Sequence, residues 1–485
     1  MLKKAFISTL LIVLGCLHLG AQEDFRKAFD QFTAQAKQEH KAFSDTVNAQ
    51  FAKAIGAEWQ KYGLSEENKR QVNPEPETLP IAQEAQTMFK VVSVSEAVDT
   101  IPSRWPLETD SALWKPNEPA SQNNSRVIRF EFYDAEQVVS IPKEYGTFHP
   151  KGISEADVAA FWEALSRYDY KFILADCAKY AELHGYNDWA IMEWVQALSA
   201  EVFPRNINSE RTIFTVFLLN QMGLMTKLAR ADSHLISLFS SMQPVYARKF
   251  LVIDTYPYYI AEKNFSASEV FTYSTSFVKP AHPLDLRIHV APAFGKPESF
   301  TTCQKYSSLF NTSFDIPLNQ ALMRFYGRYP QTAVNVYASA QPEERFSNAL
   351  KTALGEGIKG LPELDAVNML LAFVQSDFKY QTDINQFGYE KPFFCEENFF
   401  FECNDCEDRA TLFALLVRSL LRKKVVLLEY PDHISTAVQM PGELKGDHIR
   451  IGEDKYYVCD PSYIGATLGM TIPKYKNISV KVYAL

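Results

Sequence analysis

Three residues near the end of the chain carry side chains suited to nucleophilic chemistry. They are Cys406, His433 and Asp460, in that order along the sequence. A thiol at the start of a helix has a lowered pKa, because the exposed backbone N–H groups favour the thiolate. A nearby imidazole stabilises a thiolate and later protonates a leaving amine, and a carboxylate behind it fixes its tautomer. This order therefore predicts a catalytic triad that acts on an amide.

The elements around these residues are predicted to bring them together. Asp405 and Asp408 fit a capping pair, so a helix is expected to begin at Cys406. The run VVLLEY that follows the helix is typical of a buried strand, and His433 opens the next strand after a Pro-Asp turn. A hairpin then ends at Asp460. The backbone N–H of Cys406 is the expected first donor of an oxyanion hole.

This arrangement resembles the bacterial transglutaminase-like proteins, whose core shares the papain-type Cys-His-Asp arrangement. The pieces that carry the resemblance are Cys406-Glu407-Asp408, His433-Ile434-Ser435 and Asp460-Pro461-Ser462. The resemblance implies that Cys406 is the nucleophile, His433 the general base and acid, and Asp460 the residue that orients His433. Two features depart from the family pattern: the aromatic residue that often follows the histidine is missing, and Ser462 replaces a threonine.

Other assignments of the histidine and cysteines remain open from the sequence. His448 is the alternative to His433, since it lies nearer to Asp460 in the sequence. Cys403 and Cys406 form a CxxC, but the acidic Asp405 between them disfavours a redox site and the lack of a second CxxC disfavours a zinc site. No metal and no cofactor are expected.

The composition limits the classes of function. The chain has 485 residues, with 58 acidic and 49 basic side chains and a formal net charge of -9. An acidic balance argues against nucleic-acid binding, which needs a basic face. Only 19 glycines are present, and we find no phosphate-binding or dinucleotide-binding pattern. The hydrophobic fraction of 47% is that of a folded globular protein, here long enough for several domains.

The first residues of the chain are typical of an export signal. Lys3 and Lys4 precede a short apolar run, and small residues end the stretch near residue 21. The sequence Val-Leu-Gly-Cys that ends at Cys16 also fits a lipobox, so a lipid anchor at Cys16 is the alternative to soluble export. The protein is therefore predicted to reach the periplasm or cell envelope, with an outer-membrane lipoprotein as the alternative. No membrane span is expected.

The predicted fold class is α+β with several domains. The predicted order is a signal peptide (1–21), an N-terminal amphipathic helix (22–66), a proline-rich linker (67–125), an α/β module (126–262), a β-rich domain (263–342) and a transglutaminase-like catalytic core (343–485). The helix is indicated by large apolar residues at a stride of four, and the β-rich domain by Thr, Ser, Phe and Val with prolines at turns.

An internal repeat is also predicted. The stretch NINSERTIFTVFLLNQMGLMTKLARADSHLISLF resembles NDCEDRATLFALLVRSLLRKKVVLLEYPDHISTAV, which follows it in the chain. The alignment sets Asn208 at the position of Cys406 and Glu262 at the position of Asp460, and it matches His234 to His433 after a one-residue gap. The α/β module is thus expected to be a degenerate second copy, with chance similarity as the alternative.

These observations lead to two functional hypotheses. The first is an exported cysteine enzyme that acts on protein or peptide amides, by hydrolysis or by acyl transfer to an amine. The second is a non-catalytic binding or assembly protein that uses the core as a scaffold. Neither the choice between water and amine nor the oligomeric state follows from the sequence.

Overall fold

The computed structural model describes residues 42, 44–65, 78–82, 124–205, 207–277 and 281–485. The predicted signal peptide and Cys16 lie outside the described residues, as does most of the proline-rich linker. No helix within these ranges is both long and apolar enough to cross a bilayer.

The described chain is a mixed α+β structure. Its helices are α1 (44–55), α2 (Glu155–Ser166), α3 (Lys171–His184), α4 (Asp188–Val202), α5 (Asn208–Gln221), α6 (Gln320–Arg328), α7 (Val334–Ser339), α8 (Glu344–Ile358), α9 (Glu363–Ser376), α10 (Asp383–Phe387), α11 (Glu397–Phe400) and α12 (Cys406–Leu416). Its strands are β1 (Gln60–Gly63), β2 (Ser125–Phe132), β3 (Ala135–Pro142), β4 (Thr226–Ala231), β5 (His234–Ser240), β6 (Phe250–Ile253), β7 (Tyr256–Ile260), β8 (Glu269–Thr272), β9 (Phe300–Ser307), β10 (Thr312–Asn319), β11 (Lys379–Tyr380), β12 (Cys403–Asn404), β13 (Val425–Tyr430), β14 (His433–Gln439), β15 (His448–Ile451), β16 (Asp454–Cys459) and β17 (Lys481–Ala484).

Two antiparallel sheets have the same strand arrangement. The first has the order β1-β8-β4-β5-β7-β6, and the second has the order β15-β16-β14-β13-β17. Read from the last hairpin, β6-β7-β5-β4-β8 matches β15-β16-β14-β13-β17 strand for strand, and β1 is an addition at the edge of the first sheet. The pairing register agrees as well, since Phe239 pairs with Tyr259 in one sheet and Val438 with Tyr457 in the other.

The element before each sheet also corresponds. Helix α5 begins at Asn208 and packs against β5, while α12 begins at Cys406 and packs against β14. A two-residue turn then separates the first two strands of each sheet, so that His234 and His433 each open the second strand. Two units with one topology are therefore present in the described chain.

The predicted N-terminal helix ends earlier than expected, and the first part of its range lies outside the described residues. Its apolar stride does bury Val47, Phe51 and Ile55 against the first unit, but the described helix ends at residue 55. The following Gln60–Gly63 forms β1, which pairs with the edge strand β8. Gly56 weakens the helix at this point, and the free edge of β8 supplies hydrogen-bond partners for an extended backbone.

The predicted β-rich domain does not form a separate unit. Strand β8 belongs to the first sheet, and β9 with β10 makes an isolated hairpin. Helices α6 and α7 then occupy the rest of the range 263–342. Asn319 begins α6, because its side-chain oxygen accepts from the backbone N–H groups of Ala321 and Leu322 at 3.0 and 3.3 Å. The range thus contains the β9–β10 hairpin followed by helices.

Candidate active site

Helix α12 presents Cys406 as its first residue. Asp405 is the N-cap, with extended backbone, and its N–H donates to Oδ2 of Asp408 at 3.2 Å. The other carboxyl oxygen of Asp408 accepts from the N–H of Phe393 at 2.8 Å. The helix start is thus held by buried hydrogen bonds, as the spacing of the two aspartates predicts, and Cys406 is only 2% exposed.

His433 and Asp460 are directly joined. Nε2–H of His433 donates to Oδ2 of Asp460 at 2.8 Å, and both side chains are buried. Oδ1 of Asp460 accepts from the N–H of Ser462 at 2.9 Å, which fixes the carboxylate plane. Nδ1 of His433 is buried and has no hydrogen-bond partner among the described residues. One ring nitrogen is therefore oriented by a carboxylate, while the other is available to a third group.

The thiol of Cys406 lies beside the strand that His433 opens. Helix α12 packs on β14, and Cys406 shares an apolar cluster with Ile434, the neighbour of His433. The sulfur donates to Oε2 of Glu407 at 3.3 Å rather than to the free ring nitrogen of His433. The thiol and the imidazole are thus not hydrogen-bonded to each other, so formation of a thiolate–imidazolium pair requires the sulfur and Nδ1 of His433 to come into contact.

Tyr475 forms an aromatic wall that the sequence did not reveal. Its ring stacks on that of His433, with centroids 5.1 Å apart and planes 8° from parallel. Burial and, after it, a hydrogen bond to Asp432 raise the pKa of Tyr475. Tyr475 therefore covers one face of the His433 ring. It follows Pro473 in a short turn, far along the chain from His433, so the motif itself carried no signal for it.

The alternative histidine takes no part in this site. Nδ1 of His448 lies 3.2 Å from the backbone oxygen of Gly446, and its ring lies against Tyr457. His448 stands on β15, which is separated from β14 by β16. Its closeness to Asp460 in sequence thus does not bring it to the carboxylate.

A buried glutamine holds the turn that carries Asp460. Nε2 of Gln375, at the end of α9, donates to the backbone oxygens of Asp460, Tyr463 and Ala466 at 3.1, 2.8 and 3.1 Å. Its Oε1 accepts from the N–H of Gly465 at 3.2 Å. Since one side chain satisfies four backbone groups, the turn after β16 has little freedom to move.

Arg409 connects the same helix to the start of α12. It is fully buried one turn after Cys406, and its Nε donates to Oδ1 of Asn404 at 2.9 Å. Its terminal nitrogens donate to backbone oxygens at and after the end of α9, including that of Phe378 at 2.8 Å. Burial lowers the pKa of Arg409 to about 10. Through α9, Arg409 and Gln375 fix the cysteine and aspartate ends of the site relative to each other.

Carboxylates crowd the other side of the helix start. Two overlapping groups have oxygens within 4.8 Å of one another: Asp383 with Glu390 and Glu407, and Asp383 with Asp405 and Asp408. Burial, followed by the charge of Glu407, raises the pKa of Asp383 to about 8, and burial also raises that of Asp408. At neutral pH, Asp383 is therefore mainly protonated. Among the described residues, these two groups have carboxylate oxygens spaced closely enough to hold a cation.

The other cysteines offer neither a disulfide nor a sulfur-rich metal site. Cys395 and Cys403 form no disulfide, and neither do the other four described cysteines. Burial raises the pKa of Cys395 and of Cys459, which disfavours the thiolate that zinc requires. The carboxylate groups that could hold an ion include no cysteine from the described ranges.

The equivalent positions of the first unit do not form a triad. Nδ2 of Asn208 donates to the backbone oxygen of Leu235 at 3.0 Å, so this side-chain amide bonds to the second strand of its own sheet. Glu262 is exposed, and the ring of His234 lies 6.5 Å from that of Phe265. Within the described chain, no hydrogen bond joins His234 to Glu262. The first unit keeps the framework of the site without its nucleophile or its histidine–carboxylate pair.

No protein-family model matches the chain, and no curated protein or solved structure matches it either.

Proposed function

We propose that the second unit is a transglutaminase-like cysteine enzyme core that acts on protein or peptide amides. In this proposal Cys406 attacks the carbonyl carbon, His433 takes the thiol proton and returns it to the leaving amine, and Asp460 orients His433. The thioester that results passes its acyl group to water or to another amine. The observation that carries the proposal is the His433–Asp460 hydrogen bond, because it leaves the second ring nitrogen unpartnered beside the helix that begins at Cys406.

Three further features support this role. The N-terminus of α12 favours negative charge on the first residue of the helix. The stacked ring of Tyr475 restricts rotation of the imidazole. The link from Arg409 through α9 to Gln375 holds the helix start and the Asp460 turn at a constant separation.

We further infer that the two units are copies of one ancestral core. The support is the common strand order, the common register and the equivalent helix start at Asn208 and Cys406. An amide side chain cannot act as a nucleophile at neutral pH, so the first unit is a degenerate copy. The protein is proposed to work outside the cytoplasm, on the basis of its first 21 residues.

Selective alkylation tests the enzyme proposal. The full chain is treated with iodoacetamide at neutral pH, and the rate of modification of each cysteine is followed by mass spectrometry. Cys406 should react much faster than the half-buried Cys303, although Cys406 is the more buried of the two, because a histidine-activated thiolate outweighs limited access. His433→Ala should remove this advantage, whereas the matched change His448→Ala should leave it intact.

The second candidate function is a non-catalytic binding scaffold. It is favoured by the 2% exposure of Cys406 and by the hydrogen bond of its thiol to Glu407, which together describe a packed side chain whose partner is a carboxylate and not His433. If Cys406 reacts no faster than Cys303, and His433→Ala changes nothing, the scaffold is the better description.

A further inference from the structure

A short extended segment from the proline-rich linker lies against the turn that carries Asp460. The N–H of Ala82 donates to the backbone oxygen of Ile464 at 2.8 Å, and the N–H of Ile464 donates to that of Pro80 at 2.9 Å. Together the two bonds make a parallel bridge between Ile81 and Ile464. Residues 78–82 thus add a rudimentary strand to the candidate active core.

The contact is made mainly by the main chain. The side chain of Ile81 is 75% exposed, so it contributes little to binding. Ala82 is the only residue of the segment that packs against the apolar cluster beneath, and its side chain is a single methyl group. Main-chain pairing of an extended peptide tolerates many sequences, and its selectivity comes from the few side chains that point inward.

The receiving turn is rigid and is continuous with the candidate site. Gln375 holds the carbonyls of Tyr463 and Ala466 and the N–H of Gly465 from inside, which leaves the N–H and carbonyl of Ile464 for an outside partner. The same turn begins at Asp460, whose carboxylate orients His433. A chain bound at Ile464 therefore lies on the element that completes the proposed triad.

We propose that Ile464 is a docking edge for an extended polypeptide, which pairs in parallel and places a small side chain where Ala82 lies. The chain's own residues 78–82 occupy this edge when no other peptide is bound. The role of this edge in binding substrate rests on the proposed function. If the edge binds substrate, the substrates of the enzyme are unstructured segments of proteins. Since two hydrogen bonds and one methyl group bind weakly, the linker's tether holds the segment in place, and a free peptide competes against that effective concentration.

Two matched variants test the docking edge in the full chain. Ala82→Pro removes the N–H that donates to Ile464, while Ile81→Ala changes an exposed side chain and keeps both hydrogen bonds. Hydrogen exchange of the Ile464 amide should speed up by roughly tenfold in Ala82→Pro and stay at the parent rate in Ile81→Ala. Exchange along β14 reports whether the fold is retained. If Ala82→Pro disturbs that strand, a variant from which residues 78–82 are deleted takes its place, because the deletion removes both backbone partners of Ile464.

Peptide binding is then measured with a labelled octapeptide, ETLPIAQE, which reproduces residues 77–84. All the proteins carry Cys406→Ala, so that binding does not depend on thiol chemistry. The peptide should bind the vacated chain roughly tenfold more tightly than the parent, and a peptide with proline in place of the alanine should not bind. The docking-edge proposal is wrong if the Ile464 amide stays protected from hydrogen exchange in both variants that lack the segment's contact. It is also wrong if these variants do not bind the peptide. Peptide binding to these proteins, combined with slow alkylation of Cys406 in the parent chain, overturns the proposed function alone.

Discussion

The side-chain amide of Gln375 donates to the backbone oxygen of Asp460 at 3.1 Å, which ties the end of helix α9 to the residue that orients His433. The same amide supports two more carbonyls of the turn. The proposed triad therefore depends on a residue that touches none of its three functional atoms.

Replacement of this glutamine should destabilise the protein markedly. Gln375→Leu removes the side-chain donor that three buried carbonyls share and the acceptor of the Gly465 N–H, and we expect the free energy of unfolding to fall by about 2–4 kcal/mol, as measured by urea denaturation. The matched change Ser376→Ala, at the exposed next position, should cost less than about 0.5 kcal/mol. Equal stabilities of the two variants would show that the turn is held by other contacts.

Loss of the charge on Asp460 should impair chemistry more than stability. Asp460→Asn keeps the shape of the side chain but no longer favours the tautomer with a proton on Nε2 of His433. We expect the rate of thiol-dependent amide turnover to fall by roughly a thousandfold or more. Asp454→Asn, at the other end of β16, is the control and should retain the parent rate. A parent-like rate in Asp460→Asn would remove Asp460 from the triad.

The aromatic wall should matter through its ring rather than its hydroxyl. Tyr475→Phe keeps the stacked ring against His433, while Tyr475→Ala removes it. Alkylation of Cys406 should remain near the parent rate in the phenylalanine variant and slow by roughly tenfold in the alanine variant, because a loosened imidazole spends less time facing the sulfur. Slowing by the same amount in both variants would instead assign the effect to the hydrogen bond between Tyr475 and Asp432.

The carboxylate cluster should make stability depend on pH. The pKa of Asp383 is raised to about 8 in the folded protein, from an ordinary value of 3.8. The protonated carboxyl is therefore the form that the fold favours, and its contribution is complete below about pH 4 and is lost as pH rises towards 8. Between pH 5 and pH 8, the free energy of unfolding should therefore fall less in Asp383→Asn than in the parent. We expect the two decreases to differ by about 1 kcal/mol or more.

Thermal denaturation across this pH range measures the effect. The exposed Asp315 provides the control, since Asp315→Asn should follow the parent curve. Identical pH slopes for Asp383→Asn and the parent would mean that Asp383 is charged in the folded protein at neutral pH.

All thiol-dependent activity should belong to the second unit. Cys406→Ala is expected to abolish it, with no residual turnover from the first unit. Adding Asn208→Cys to that variant should not restore activity, because His234 and Glu262 do not form an oriented pair there. Amide turnover by the single and double variants measures this. Activity that survives Cys406→Ala would place a nucleophile elsewhere in the chain.

The sequence by itself was sufficient for the local parts of the second unit. Helix α12 begins at Cys406 because Asp405 and Asp408 are spaced for capping, and β14 begins at His433 because a Pro-Asp turn precedes it. These signals act between neighbours in the chain. The sequence alignment that pairs Asn208, His234 and Glu262 with Cys406, His433 and Asp460 likewise identified two units, and the sheets of these units share one strand order.

Only the tertiary structure decided which distant groups complete the site. Tyr475 stacks on His433 and Gln375 holds the Asp460 turn, yet neither lies within a recognisable motif, since such contacts depend on how the helices pack on the sheet. The strand Gln60–Gly63 likewise formed because β8 offered a free edge, not because of its own residues. Pairing partners and buried hydrogen bonds are set by long-range packing, which a local pattern of residue types does not encode.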